Sequence, residues 1–129
     1  MSWEKYMIYF IRSYNKYIKI GRSYDPSIRC KTLQTGSPVK LKVKAVLPGD
    51  SKTEKALHEM FSHIHYQGEW FRYTDELKFF MRAIQENPEI NNISDLQKIA
   101  LKMRLVAKAK RLGSNHKLYK RLARYISLT

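Results

Sequence analysis

Apolar and polar side chains alternate from Tyr6 to Arg12 and again from Lys16 to Arg22, with the polar Ser13, Tyr14 and Asn15 between them. Two period-two runs about a short polar link predict a β-hairpin. In its second strand Tyr17, Lys19 and Gly21 share one face and Ile18 and Ile20 the other, which sets a lysine among tyrosines. Asp25 followed by Pro26 offers an N-cap with proline in the first turn, and Ile28, Leu33 and the helix-stopping Gly36 bound a helix of about ten residues that carries Arg29 and Cys30. From Val39 to Leu47 every second residue is apolar and Lys40, Lys42 and Lys44 stand between, which predicts a third strand with one buried and one charged face. Pro48, Gly49 and Asp50 end it.

The period then changes to that of a helix. Ser51 with Glu54 three residues on has the spacing of a capping box, and Ala56, Leu57, Met60 and Phe61 make an apolar stripe. Gly68, Glu69, Trp70 and Phe71 read as a short extended piece. Thr74 caps a third helix through Leu77, Phe80, Met81 and Ile84, ending near Asn87 and Pro88. Ser94 is the expected cap of a fourth, with Leu96, Ile99, Ala100, Met103, Val106 and Ala107 as its apolar positions. Gly113 and Ser114 break it, and Leu118, Leu122 and Ile126 mark a final helix. On that last helix Lys117, Lys120, Arg121 and Arg124 fall on one face.

The expected class is α+β: a small three-stranded antiparallel sheet flanked by helices over residues 1–93, and a basic helical hairpin over residues 94–129. Charge sharpens that division. The chain of 129 residues carries 25 Lys and Arg against 11 Asp and Glu, a formal net charge of +14. Residues 1–93 hold 15 basic and 10 acidic side chains, whereas residues 94–129 hold 10 basic and 1 acidic. So cationic a chain attracts polyanions, nucleic acid first and an anionic membrane surface second. No apolar run approaches the about 18 residues of a spanning helix and no secretory leader opens the chain, so no membrane association and an intracellular location are expected. The single cysteine, Cys30, excludes an internal disulfide and a cysteine-rich zinc site. It has no sequence neighbour suited to activate it, and a small buried thiol is the expected role.

The order of elements, two strands, a helix with an arginine, a third strand and a helix opening with a glutamate, resembles the GIY-YIG endonuclease superfamily over about residues 6–80. Met7, Ile8 and Tyr9 stand where its first triplet belongs, and Lys19, Ile20 and Gly21 where the second does. Arg29 matches the family arginine, Glu54 the glutamate that holds the metal, and Gly68, Glu69, Trp70 and Phe71 are similar to a segment of short phage-type members. The sequence departs from the pattern at Met7 for glycine, at Lys19 for tyrosine and at Leu33 for a histidine found in several members. No counterpart of the family's late asparagine is placed.

The resemblance implies hydrolysis of phosphodiester bonds in nucleic acid, DNA in double-stranded form before RNA, with Mg²⁺ or Mn²⁺ as cofactor. Glu54 would hold the cation, unless it serves only the Ser51 capping box. Tyr9 would orient or deprotonate the water; Lys19, on the neighbouring strand, would be the cation that favours its tyrosinate, or else an exposed strand lysine. Arg29 would stabilise charge on the phosphate, and His58, one turn after Glu54, would donate a proton or bind phosphate. Arg22, Lys117, Lys120, Arg121 and Arg124 are the expected nucleic-acid contacts. His63, His65 and His116 have no assigned role, and Trp70 and Phe71 are expected in the core rather than as a stacking platform. Two other classes share these features: a catalytically silent nucleic-acid-binding module on the same fold, and a membrane-surface or protein-interaction module built on the tail helices.

Overall fold

A computed structural model of the chain describes residues 5–113 together with Lys117 and Arg121. The expected hairpin is its centre. β1 (Met7–Ser13) and β2 (Tyr17–Ser23) pair antiparallel, with Tyr9 opposite Gly21, Ile11 opposite Lys19 and Ser13 opposite Tyr17. α1 (Pro26–Thr35) follows, capped as expected by Asp25, whose side chain accepts from the Ile28 amide at 3.1 Å. β3 (Leu41–Pro48) then pairs with the other edge of β1.

The sheet has five strands, not the expected three, in the order β3-β1-β2-β5-β4. β4 (His65–Gln67) and β5 (Trp70–Arg72) form a small second hairpin beyond α2 (Ser51–Met60) and a 3-10 turn at Ser62–Ile64. Three residues are too few to display a period of two, and all of β4 is exposed, so it left no apolar signal.

β3 departs from the simple alternation for a different reason. A bulge between Phe10 and Ile11 of β1 shifts the register, so that Val43 pairs with Ile11 but Ala45 with Phe10. Leu41, Val43 and Val46 therefore pack on one face of the sheet with Tyr9, Ile11 and Cys30, while Ala45 and Leu47 join Ile8 and Phe10 on the other. β1 is thus buried on both sides, under α1 on one face and under α2, α3 (Asp75–Glu86) and α4 (Ile93–Leu112) on the other. Cys30 is a buried free thiol, as expected, and burial pushes its pKa up, which makes it a poor nucleophile.

Two caps differ from expectation. Asp50, not Ser51, caps α2, its carboxylate accepting from the amides of Lys52 and Thr53 at 3.0 and 3.1 Å. Those bonds hold its own pKa down. The cap lies one residue earlier than a Ser51 capping box needs, so Glu54 is released from capping. Asn92, not Ser94, caps α4, accepting from the Asp95 amide at 2.9 Å. Thr74 caps α3 as expected.

α4 joins the main core through Leu96 and Ala100 and is fastened by a polar network. The buried Glu76 of α3 accepts from His63 Nε2 at 2.8 Å and from Arg104 Nε at 3.2 Å, and His63 Nδ1 lies 3.1 Å from Arg104 Nη2. Both ring nitrogens are satisfied when Nε2 carries the proton and Nδ1 accepts from the guanidinium. This gives His63, unassigned in the sequence, a structural role. Gly113 ends α4 at a φ of 97°. Lys117 and Arg121 are helical and exposed, while Lys120, Arg124 and the rest of the expected basic face lie outside the described residues.

Candidate active site

The site forms where β1 and β2 meet the outer ends of α1, α2 and the β4–β5 turn. Gly21 explains the second triplet physically. A Cβ at that position would fall within the phenol of Tyr9, with the ring Cε1 only 2.9 Å away, so the absence of a side chain is what lets the tyrosine lie across β2. Tyr9 is 1% exposed. Burial raises its pKa most, the Arg29 guanidinium bonded to its hydroxyl pulls it down, and the charges of Glu69 and Glu54 push it up again. The net shift is upward, so Tyr9 stands as a neutral phenol rather than the expected tyrosinate.

The cation beside Tyr9 is therefore Arg29 and not Lys19. The ladder sets Lys19 opposite Ile11 on one side and Trp70 on the other. Its ammonium sits 3.0 Å from a Glu69 carboxylate oxygen and 5.5 Å from the centre of the Trp70 ring. Lys19 thus stands two pairs along the ladder from Tyr9 and not in the side-by-side position expected from the hairpin alone.

Glu54 lies in the first turns of α2, where its side chain is 15% exposed and faces the sheet. Arg22 Nε approaches it to 3.6 Å and His58 Nε2 to 4.0 Å. Arg22, expected as a nucleic-acid contact, thus lies in the site itself, its guanidinium also 4.3 Å above the Tyr6 ring. His58 Nε2 is 2.8 Å from the Ile20 carbonyl, which can only accept, so this nitrogen carries a proton.

Glu69 joins the candidate site, and sequence reasoning did not single it out. Gly68 turns the chain at a φ of 56°, and the Glu69 carbonyl accepts from the Ile20 amide at 3.0 Å, which fastens this turn to β2. Ligand atoms of Glu54, His58 and Glu69 all lie within 4.8 Å of one another. The two carboxylates split their protonation. Burial and the bonded, charged Glu69 raise the Glu54 pKa against the pull of His58 and Arg22, whereas the Glu69 pKa, which burial alone would raise, is brought down by Lys19. The close approach of the two carboxylates thus disfavours the ionised form of Glu54 and favours that of Glu69.

These groups open onto a cleft of about 610 Å³ lined by Glu54, His58, His65, Gly68 and Glu69. The donor set suits a hard divalent cation: two carboxylates a few ångströms apart, whose mutual repulsion a cation would relieve, and an imidazole whose Nε2 is committed to Ile20. Of the expected site residues, the fold brings Glu54, His58 and Arg22 together, joins Lys19 to them through Glu69, and binds Tyr9 to Arg29 under the field of both carboxylates. Lys117 and Arg121 are exposed on the tail. Phe71 is core, as expected, but Trp70 is only partly buried.

Among the described residues no helix is long and apolar enough to cross a membrane. Neither a search of curated proteins nor one of solved structures finds a match. A family model does: that of the T5orf172 domain, over residues 6–99, a span that takes in the whole sheet, the cleft and the start of α4. The chain belongs to the T5orf172 domain family and carries a nuclease-like domain.

Proposed function

We propose that this protein is a GIY-YIG-type endonuclease that hydrolyses phosphodiester bonds in nucleic acid, DNA foremost, with one Mg²⁺ or Mn²⁺ held by Glu54 and Glu69. The observation that carries the reading is the convergence of Glu54, His58 and Glu69 within 4.8 Å beside the Tyr9–Arg29 pair. A divalent cation there supplies charge to the phosphoryl oxygens and acidity to a water. The chain's own groups do the rest. Arg29, a planar fork bonded to Tyr9, receives phosphate oxygens and stabilises the charge they gain in the transition state. The Tyr9 hydroxyl orients the attacking water; neutralising the two carboxylates removes the charges that raise its pKa and leaves burial opposed by Arg29. His58, its ring fixed by the Ile20 carbonyl and its Nε2 4.0 Å from Glu54, lines the cleft to deliver a proton or bind a phosphate oxygen.

The basic excess of the chain supports a nucleic-acid substrate, with Lys117, Lys120, Arg121 and Arg124 as backbone contacts. A catalytically silent nucleic-acid-binding module is the second reading. It is favoured by Lys19, whose ammonium at 3.0 Å already neutralises Glu69. Incubation of labelled duplex with Mg²⁺ or Mn²⁺ and the parent, Glu54→Ala or Tyr9→Phe separates the two. The nuclease reading expects cleavage by the parent alone; binding without cleavage under every divalent ion establishes the silent module instead.

A further inference from the structure

A second groove, of about 450 Å³, lies on the α1 face of the sheet, the face that carries Tyr9, Lys19 and Tyr17, and further along β2 than Lys19. That size is ordinary for a small-ligand site. One wall is aromatic, and Leu33, Val39 and Leu41 face it from the end of α1 and the start of β3. Tyr66 of the edge strand β4 is 50% exposed, yet its ring is laid on Tyr17 of β2 with centroids 4.3 Å apart and planes 27° from parallel. Trp70 forms the next part of the wall, and Asn15 and Gln67 bring amide groups to it.

An exposed tyrosine on an edge strand needs no stacked neighbour to stay in water. Pairing with Tyr17 instead fixes its ring and leaves a flat π-surface presented to the groove at little further entropy cost. Adjacent residues link the groove to the candidate site: Glu69 lines the cleft and Trp70 the groove. Trp70 follows Glu69 directly in the chain, and Lys19, which pairs with Glu69, stands over the Trp70 ring. Tyr17 is two residues from Lys19 on β2, about 6.6 Å along a strand. At the far end Lys16 and Lys40 are exposed about the β1–β2 turn, where the Tyr14 amide donates to the Lys40 carbonyl at 3.1 Å.

We infer that this groove holds an unpaired nucleobase of the bound strand, stacked on the Tyr17–Tyr66 pair and Trp70, next to the phosphate in the catalytic cleft. The inference rests on the nuclease reading and deepens it: the substrate presents an unstacked nucleotide beside the cut. A base offers a π-face to the rings and polar edges to Asn15 and Gln67, while the flanking lysines meet its phosphates. An apolar peptide would leave the amides and lysines unanswered. A fully paired duplex keeps its bases stacked away from the rings.

The chain has two tryptophans, Trp3 and Trp70, so in a Trp3→Phe background the fluorescence reports Trp70 alone. Titration in EDTA, which prevents cleavage, compares a thymidine oligonucleotide with an abasic strand of equal length and charge. The inference expects saturable quenching by the first only, and an affinity roughly 5- to 150-fold lower for Tyr66→Ala, the loss of one stacked base. Tyr66 is exposed, so its variant is expected to fold, which circular dichroism checks. Equal binding of both strands with Trp70 unquenched overturns the base subsite and leaves the nuclease reading standing. Failure of both strands to bind overturns the base subsite and the nuclease reading together.

Discussion

Tyr9 and Gly21 face each other across the β1–β2 ladder, and the phenol fills the space that a side chain at position 21 would need. The pairing turns a sequence triplet into a steric requirement. The Gly21→Ala variant is expected to push the Tyr9 ring from its place against Arg29, with overpacking that costs about 1–3 kcal/mol. Denaturant melts measure that loss, and near-ultraviolet circular dichroism reports the displaced tyrosine. An unchanged melt would show that the ring can move away freely.

In the proposed reaction Tyr9 and Arg29 would act on opposite partners, water and phosphate. Tyr9→Phe removes only the hydroxyl from a buried ring, so the fold should hold while kcat falls by about 10²–10⁴-fold, the usual worth of a positioned proton-handling group. Arg29→Lys keeps the charge but loses the fork, and should recover little of the activity lost in Arg29→Ala. Single-turnover cleavage with folded variants checks both.

The two carboxylates make opposite contributions to stability in metal-free protein. Glu54 has a folded pKa above its unfolded one, so its contribution is fully present below the unfolded pKa and is lost as pH rises through the folded pKa. Glu69 has the reverse shift: its contribution is present above the unfolded pKa and disappears as pH falls through the folded one. In EDTA at neutral pH, Glu54→Gln is therefore expected to raise Tm, because it removes a carboxyl whose ionised form is disfavoured there. Glu69→Gln is expected to lower it by stranding Lys19. Thermal melts across pH 4–8 read the two signs.

Docking of α4 depends on the triad His63, Glu76 and Arg104. Arg104 is half exposed, so Arg104→Ala should cost only about 1 kcal/mol, whereas Glu76→Ala leaves two donors without their acceptor and should cost about 1–3 kcal/mol. Neither variant should alter divalent-ion affinity, since the triad lies apart from the cleft. Chemical denaturation and ion titration together test that separation.

Much of this was legible in the chain. The β1–β2 hairpin, α1 with its Asp25 cap, α3 with Thr74 and the family resemblance all followed from local pattern. What was not legible depended on tertiary register. The alternation of β3 read as one buried face, but the bulge at Phe10 and Ile11 divides it between two. Lys19 and Tyr9 lie on paired strands, but only the actual ladder shows that Gly21, not Lys19, is opposite the tyrosine. Glu69 was visible in a Gly-Glu-Trp-Phe segment, yet its partnership with Glu54 and Lys19 comes from pairing of a three-residue strand with β2. Asp50 took the cap that Ser51 was expected to hold, a one-residue change that set Glu54 free for the site.

The central claim is that Glu54 and Glu69 together hold the ion with which the Tyr9–Arg29 pair cuts a phosphodiester. Its most direct test is single-turnover cleavage of a labelled DNA across a range of Mn²⁺ concentrations by the parent, Glu54→Gln and Glu69→Gln. The account predicts that the parent cuts, that Glu54→Gln does not, and that Glu69→Gln needs at least about 10–100-fold more Mn²⁺ for half-maximal rate. A parent that never cuts, or a Glu69→Gln curve that overlies the parent's, would contradict it.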